Sequence, residues 1–459
     1  MPFRGAHPDE GLAQCPSIPD TARTFPVHHG DMTPIGERDA VRRLLQRLGL
    51  GPRRGELDAA TAAGFDATLD ALTTPGPDAG AAATPVPTFA PVARMPKDPA
   101  SAQALRQERT QLVAWWLDRM AAADRPFPER MTWFWHGHFA TSIQKVRFAH
   151  LMAAQNASQR RLGTGDFRAL AQSMAIDPAM LVWLDGGGNR VGKPNENLAR
   201  EFMELFTLGV GNYTENDVRS AARALTGWTV NVQAGSASFV PRRHDPGPET
   251  VLGTSVKDTA SLVNQLVGLP VSPTFIVTRV WTRFVSDSPP DPATLGTLVR
   301  AYGSGHDITA LMRATAGTSA FRDPGSVLVR EPVLWLTSAL RALNVPASKV
   351  PAGPLAAGLT GLGQVPFAPP NVGGWPAGTP WLTTASALAR LNLAKAIVNV
   401  GDISPVTAAP PNARVAATAA LLGLPAFTLR TAAALAPLTG SPPQLVAAAL
   451  ASPESCVSP

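Results

Sequence analysis

Two histidines one residue apart, His136 and His138, stand in the run Trp133-Phe-Trp-His-Gly-His-Phe-Ala-Thr-Ser142, ringed by aromatic side chains. The chain has only eight histidines, so this pair is the first place to look for imidazole chemistry. Carboxylates follow in Asn195-Glu196-Asn197-Leu-Ala-Arg200-Glu201-Phe-Met-Glu204-Leu205, and an imidazole beside a carboxylate recurs in His244-Asp245-Pro-Gly-Pro248.

A neutral imidazole pair joined by Glu201 or Glu204 suits one divalent metal ion, Zn, Fe or Mn, and an aromatic wall would strengthen such a site by lowering the local dielectric. The same two rings also read as hydrogen-bond partners inside an aromatic core. A spacing of two turns both rings to one side only in an extended or bent segment, because a helix would set them ~200° apart. Gly137 eases that bend. Glu201 and Glu204 share a helix face, as in helical carboxylate metal sites, but the histidine three residues beyond glutamate that di-iron bundles use is missing. Glu196, Arg200 and Glu204 at intervals of four read equally as a salt-bridge ladder.

The rigid His244-Asp245 loop could supply acid/base groups or a third ligand, with Glu196 completing a catalytic set; a turn stabilised by Asp245 is the alternative. Arg200, Trp133 and Trp135 are expected to orient these groups from behind. His306 is expected to be exposed before a helix capped by Asp307, and His150 to be structural.

These residues need helices to position them. Val41, Leu44, Leu45 and Leu48 recur at helical spacing, and one helix is expected over Leu57 to Leu72 and a long one over Ala102 to Ala123. Pro126 and Pro128 interrupt the pattern just before the aromatic run, which places the two histidines at a helix entrance or in its first turns. Short helices are expected at Asp166 to Met174 and Pro178 to Leu184, then the carboxylate-rich helix capped by Asn195 or Asn197. Thr214 with Asp217 three residues on resembles a capping box. Thr229 to Val232 and Ser236 to Val240, around Ala234-Gly235, read as one short β-hairpin. Helical spacing then returns from Thr259 to Val398. The expected fold is mainly α: a single large multi-helix orthogonal bundle with one short β-hairpin. Its body runs over 36–398 with a Pro/Ala-rich link at 73–98 inside it, after a disordered segment 1–35 and before an Ala/Pro-rich tail 399–459.

Composition narrows the function classes. The 459 residues are 45% hydrophobic, enough for a large core. Basic residues exceed acidic ones, 40 to 34, but lie as scattered singles and pairs, so no nucleic-acid surface is expected. Cys15 and Cys456 give no support to a disulfide or a cysteine metal site. Met1 to Phe25 carry Asp, Glu and Pro where a signal peptide is apolar, and no stretch is long and apolar enough to span a membrane, so residence in the cytoplasm or export with a partner both stay open. Neither Gly186-Gly-Gly188 nor Gly373-Gly374 fits a nucleotide-binding loop, and no Gly-x-Ser-x-Gly elbow occurs.

Taken in order, the aromatic-histidine run, Asp177-Pro-Ala-Met-Leu-Val-Trp-Leu-Asp185, Pro194 to Val218, Ala221-Ala-Arg-Ala-Leu-Thr-Gly-Trp228, His244 to Pro248 and Val372-Gly-Gly-Trp-Pro376 resemble a large bacterial family known as domain of unknown function 1800. The resemblance spans about residues 36 to 395. It implies a family often exported and often encoded beside proteins resembling exported sulfatases or phosphatases, hence a cell-envelope role and such a partner. The resulting expectation is an uncharacterised, metal-dependent enzyme, hydrolase rather than oxidoreductase, with metal ligands His136, His138, Glu201 and Glu204 and catalytic His244, Asp245 and Glu196. The alternative is a non-catalytic helical scaffold or export companion of that partner.

Overall fold

A computed structural model describes residues 34–89 and 98–458. The expected disordered segment lies, up to residue 33, outside the described residues, as do Cys15 and the later part of the Pro/Ala link. Pro34–Pro459 form one compact unit.

Helices carry it, and strands occur among the described residues only as three two-stranded antiparallel ladders. The expected hairpin is Trp228–Asn231 against Ser236–Phe239, with Trp228 opposite Phe239. A second hairpin, Glu249–Val251 with Thr254–Val256, turns through Leu252 and Gly253, both at positive φ (49° and 79°). Two successive left-handed residues make the tight turn whose twist suits paired strands. The third ladder joins Leu328–Val329 to Val457–Ser458.

Local signals explain most helix starts. Asn195 caps Glu196–Glu201, and Thr214 and Asp217 form the anticipated capping box of Glu215–Ala224. The helix expected over Leu57 to Leu72 is two, Glu56–Ala63 and Phe65–Thr73, because Gly64 between them takes φ 92°. The helix Glu196–Glu201 runs on as a π-helix, Phe202–Leu208, in which the Thr207 hydroxyl donates to the Phe202 carbonyl at 2.7 Å. Residues after 399, though Ala- and Pro-rich, carry further helices whose Val406, Leu421, Leu435 and Leu445 are buried in the core.

The buried side chains fall into two clusters. One gathers the N-terminal helix Glu37–Arg47 with Phe139, Phe167, Phe206 and Phe284. The other gathers Trp116, Trp335, Phe367 and Trp375. The helix Phe127–His138 lies between them, giving Phe127, Met131, Phe134 and Trp135 to the first and Trp133 to the second. A helix wedged in this way is buried all round and shows no amphipathic stripe. Among the described residues no single helix is long and apolar enough to cross a membrane.

Candidate functional site

His136 and His138 belong to the last turn of the helix Phe127–His138. The bent or extended segment expected for them does not form, and the helix opens with Pro128 in its first turn, where a missing N–H costs nothing. The prolines thus start the helix that carries the pair, and the two rings leave it on opposite sides.

His136 enters the second core cluster, among Trp116, Trp133, Phe367 and Trp375, with ring centroids 5.2 to 6.0 Å away. The Phe367 backbone N–H donates to its Nε2 at 3.0 Å, which leaves the ring proton on Nδ1. Burial pushes its pKa down to about 3. Its Nε2 is thus engaged inside the aromatic core.

His138 enters the first cluster, against Phe134, Trp135, Phe139, Phe167 and Phe206. Its Nε2 donates to the Phe206 carbonyl at 3.0 Å, a group near the end of the π-helix. Burial, and then the nearby Arg279 guanidinium, push its pKa down to about 3. The neutral ring therefore presents Nδ1 as an acceptor, and this buried atom has no partner among the described residues.

His138 lines a narrow cleft with Arg130, Trp133, Arg279, Arg283, Glu331 and Trp375. The helix Val271–Phe284 supplies Arg279 and Arg283 one turn apart. Glu331, at the start of the helix Pro332–Ala342, accepts from Arg283 at 2.7 Å, Trp133 Nε1 at 2.9 Å and Gln364 Nε2 at 3.0 Å. Burial alone would raise its carboxyl, but Arg283, Arg130 and these hydrogen bonds hold it below the usual range.

Arg283 also donates to the carbonyls of Trp375 (2.5 Å) and Pro376 (3.0 Å), fixing the Gly373-Gly374-Trp375 loop over the helix end. Gly374 has φ 79°, and a Cβ there would come within 2.1 Å of the Gly137 carbonyl oxygen. That close approach explains Gly374, and Trp375 beside it stacks on Trp133, 5.2 Å away.

The lining carries three guanidiniums against one carboxylate. Arg283 is paired with Glu331, and Arg130 lies over the Phe284 ring at 4.1 Å while donating to the Arg47 carbonyl at 3.0 Å. Arg279 makes no hydrogen bond or ion pair among the described residues, and burial, then Arg283, push its pKa down to about 10. The Trp375 Nε1–H is likewise buried without a partner. Unused donors and one unused acceptor thus line a single cationic cleft.

The other expected site residues are engaged elsewhere. Arg200 forks onto Glu215 with two bonds of 2.7 Å and reaches Glu196 at 3.6 Å, so of the expected ladder only the Glu196–Arg200 rung forms. Glu204 accepts from the Tyr213 hydroxyl, and burial, then Glu204, raise the half-buried Glu201. His244 is held between backbone carbonyls, Thr226 O at 3.0 Å from Nδ1 and Lys257 O at 2.9 Å from Nε2. Asp245 turns to Arg223 at 3.0 Å, whose hydrogen bond keeps its carboxyl below the usual range. Trp135 donates to the Gly163 carbonyl at 2.6 Å. Among the described residues no three of His, Cys, Asp or Glu form a group able to hold a metal, so the expected donor set does not fit a common ion. His306 is buried rather than exposed, at φ 51° with Arg168 Nη2 3.3 Å from its Nδ1, while Asp307 caps the next helix as expected. His150 bonds the Val232 carbonyl at 2.7 Å, a structural contact.

The family described as protein of unknown function (DUF1800) matches residues 43–457, nearly the whole chain. The chain belongs to this family. No curated protein and no solved structure matches it. The match extends through the Ala/Pro-rich C-terminal helices, in keeping with their burial in the core. Family membership leaves the activity open, and the chemistry has to be read from the cleft.

Proposed function

We propose that this protein recognises a small oxyanion that carries one O–H, of the hydrogen phosphate type, in the cleft beneath Trp375. Arg279 and the Trp375 Nε1–H serve as donors to the anion oxygens, and His138 Nδ1 accepts the ligand's own proton. The Arg283–Glu331 pair holds the wall and loop in place. One observation carries the reading: a fully buried imidazole acceptor without a partner among the described residues lines a cleft with cations in excess. An unpaired buried acceptor costs about 1–3 kcal/mol, which a ligand donor would recover.

A ring with a pKa of about 3 acts at neutral pH as an acceptor; a general base works best with a pKa near the operating pH. Recognition is therefore the role assigned to His138. The phosphatase- or sulfatase-like partner expected from the family resemblance would release the two ions that this site distinguishes. Sulfate at neutral pH has no proton to offer Nδ1, and a site built around a hydrogen bond rejects the analogue lacking it.

Calorimetric titration of the purified chain with inorganic phosphate and with sulfate tests this. Phosphate should bind at least about tenfold more tightly, and His138→Leu, which removes the acceptor, should abolish the preference. Equal binding of the two ions, or an unchanged preference in the variant, would overturn the proposal.

A further inference from the structure

Arg130, Arg283 and Glu331 also line a second, larger cleft. The helix Glu37–Arg47 and the strand Leu328–Val329 complete its walls. Two side chains there hold polar atoms that have no partner among the described residues. Gln46, 9% exposed, leaves both amide atoms unbonded, and Arg330 leaves Nε and Nη2 unbonded.

The pattern of these atoms is informative. Nε and Nη2 occupy one edge of the guanidinium, and their parallel N–H bonds match the two oxygens of a carboxylate. A primary amide offers an acceptor and a donor side by side, the complement of a peptide N–H and C=O. Leu50, Leu328 and Leu334 give the same cleft an apolar wall. Neither Gln46 nor Arg330 lines the cleft under Trp375, so this site stands apart from the phosphate reading.

We propose that the second cleft binds the C-terminal end of a short peptide. The terminal carboxylate lies on the Nε/Nη2 edge of Arg330, the last peptide group pairs with the Gln46 amide, and an apolar terminal side chain packs against Leu50 and Leu334. A bare oxyanion would use Arg330 but leave the Gln46 amide and the leucine wall without a role.

The test is calorimetric titration of the full chain with N-acetylated alanyl-alanyl-leucine as the free acid and as its C-terminal amide. The free acid should bind at least about tenfold more tightly, because only it fills the guanidinium fork. Arg330→Gln should remove that preference while leaving the phosphate titration unchanged. Should that variant not fold, Gln46→Met should weaken the free acid several-fold. Equal affinity of acid and amide for the unaltered protein, or binding of neither at millimolar concentration, overturns the proposal whatever the phosphate experiment gives.

Discussion

His136 and His138 share a helix turn, a residue type, complete burial and a pKa pushed down to about 3, yet they do different things. His136 accepts a backbone N–H inside a wall of indole and phenyl rings, and the aromatic cluster closes over it. His138 donates to Phe206 and keeps its other nitrogen unpaired, in a side chain that lines a cleft with excess positive charge. Burial and aromatic surroundings are therefore poor guides to function here; the unused hydrogen-bonding atom separates the two.

Five substitutions would break or sharpen the contrast. The largest effect should come from Glu331→Ala, which strips the shared wall of its only carboxylate and leaves Arg130 and Arg283 uncompensated. A loss of about 3–5 kcal/mol is expected from breaking a buried ion pair by removing one partner, read by urea unfolding. Arg279→Met should behave oppositely, changing stability by less than about 1 kcal/mol, since no ion pair is lost, while abolishing phosphate binding.

Next is the pH dependence. Both rings have folded-state pKa values below the unfolded value near 6.5, so the unfolded chain binds more protons as pH falls. The stability associated with each ring is full above that value and declines as pH falls from about 6.5 toward 3, by about 1.4 kcal/mol per pH unit at most. His136→Gln, which keeps an acceptor for Phe367 N–H, should flatten this decline without altering phosphate affinity. His138→Leu should flatten it and lose the phosphate preference. Stability curves collected between pH 3 and 7 for both variants make the comparison.

The smallest effect belongs to the charged surface around Glu196. Arg200→Ala should cost no more than about 1 kcal/mol, as exposed ion pairs do, with phosphate binding intact. A large loss of phosphate binding in this variant would return attention to the carboxylate-rich helix. Elemental analysis addresses the metal reading of the same residues: Zn, Fe or Mn content should not follow His136, His138, Glu201 or Glu204 when these are replaced.

Much of the fold is legible from local patterns, because capping residues, glycine stops and leucine spacing act within a few residues. Thr214 with Asp217 and the Trp228–Phe239 hairpin are examples. The helix Phe127–His138 is not, since burial on every side erases the stripe that marks a helix, and its N-terminal proline reads as a break. The π-helix Phe202–Leu208 leaves no local signature either. The aromatic-histidine run marks the helix that borders the proposed cleft, but the other walls of that cleft have no common signature in the sequence. Arg130, Arg279, Arg283 and Glu331 come from three distant stretches and look like scattered charge in the sequence. The one available signal is Arg279 and Arg283 at helical spacing on an otherwise uncharged helix, where four of the flanking side chains, Ile276, Val277, Val280 and Phe284, are buried.

The central claim is that His138 Nδ1 is an acceptor kept for a ligand. Long-range proton–nitrogen NMR of the histidine side chains, with inorganic phosphate added at neutral pH, tests it most directly. A neutral His138 ring protonated at Nε2, whose Nδ1 resonance moves on phosphate addition while both His136 nitrogens stay fixed, is the expected result. An Nδ1 resonance of His138 that stays put at saturating phosphate, or that moves together with His136, would contradict it.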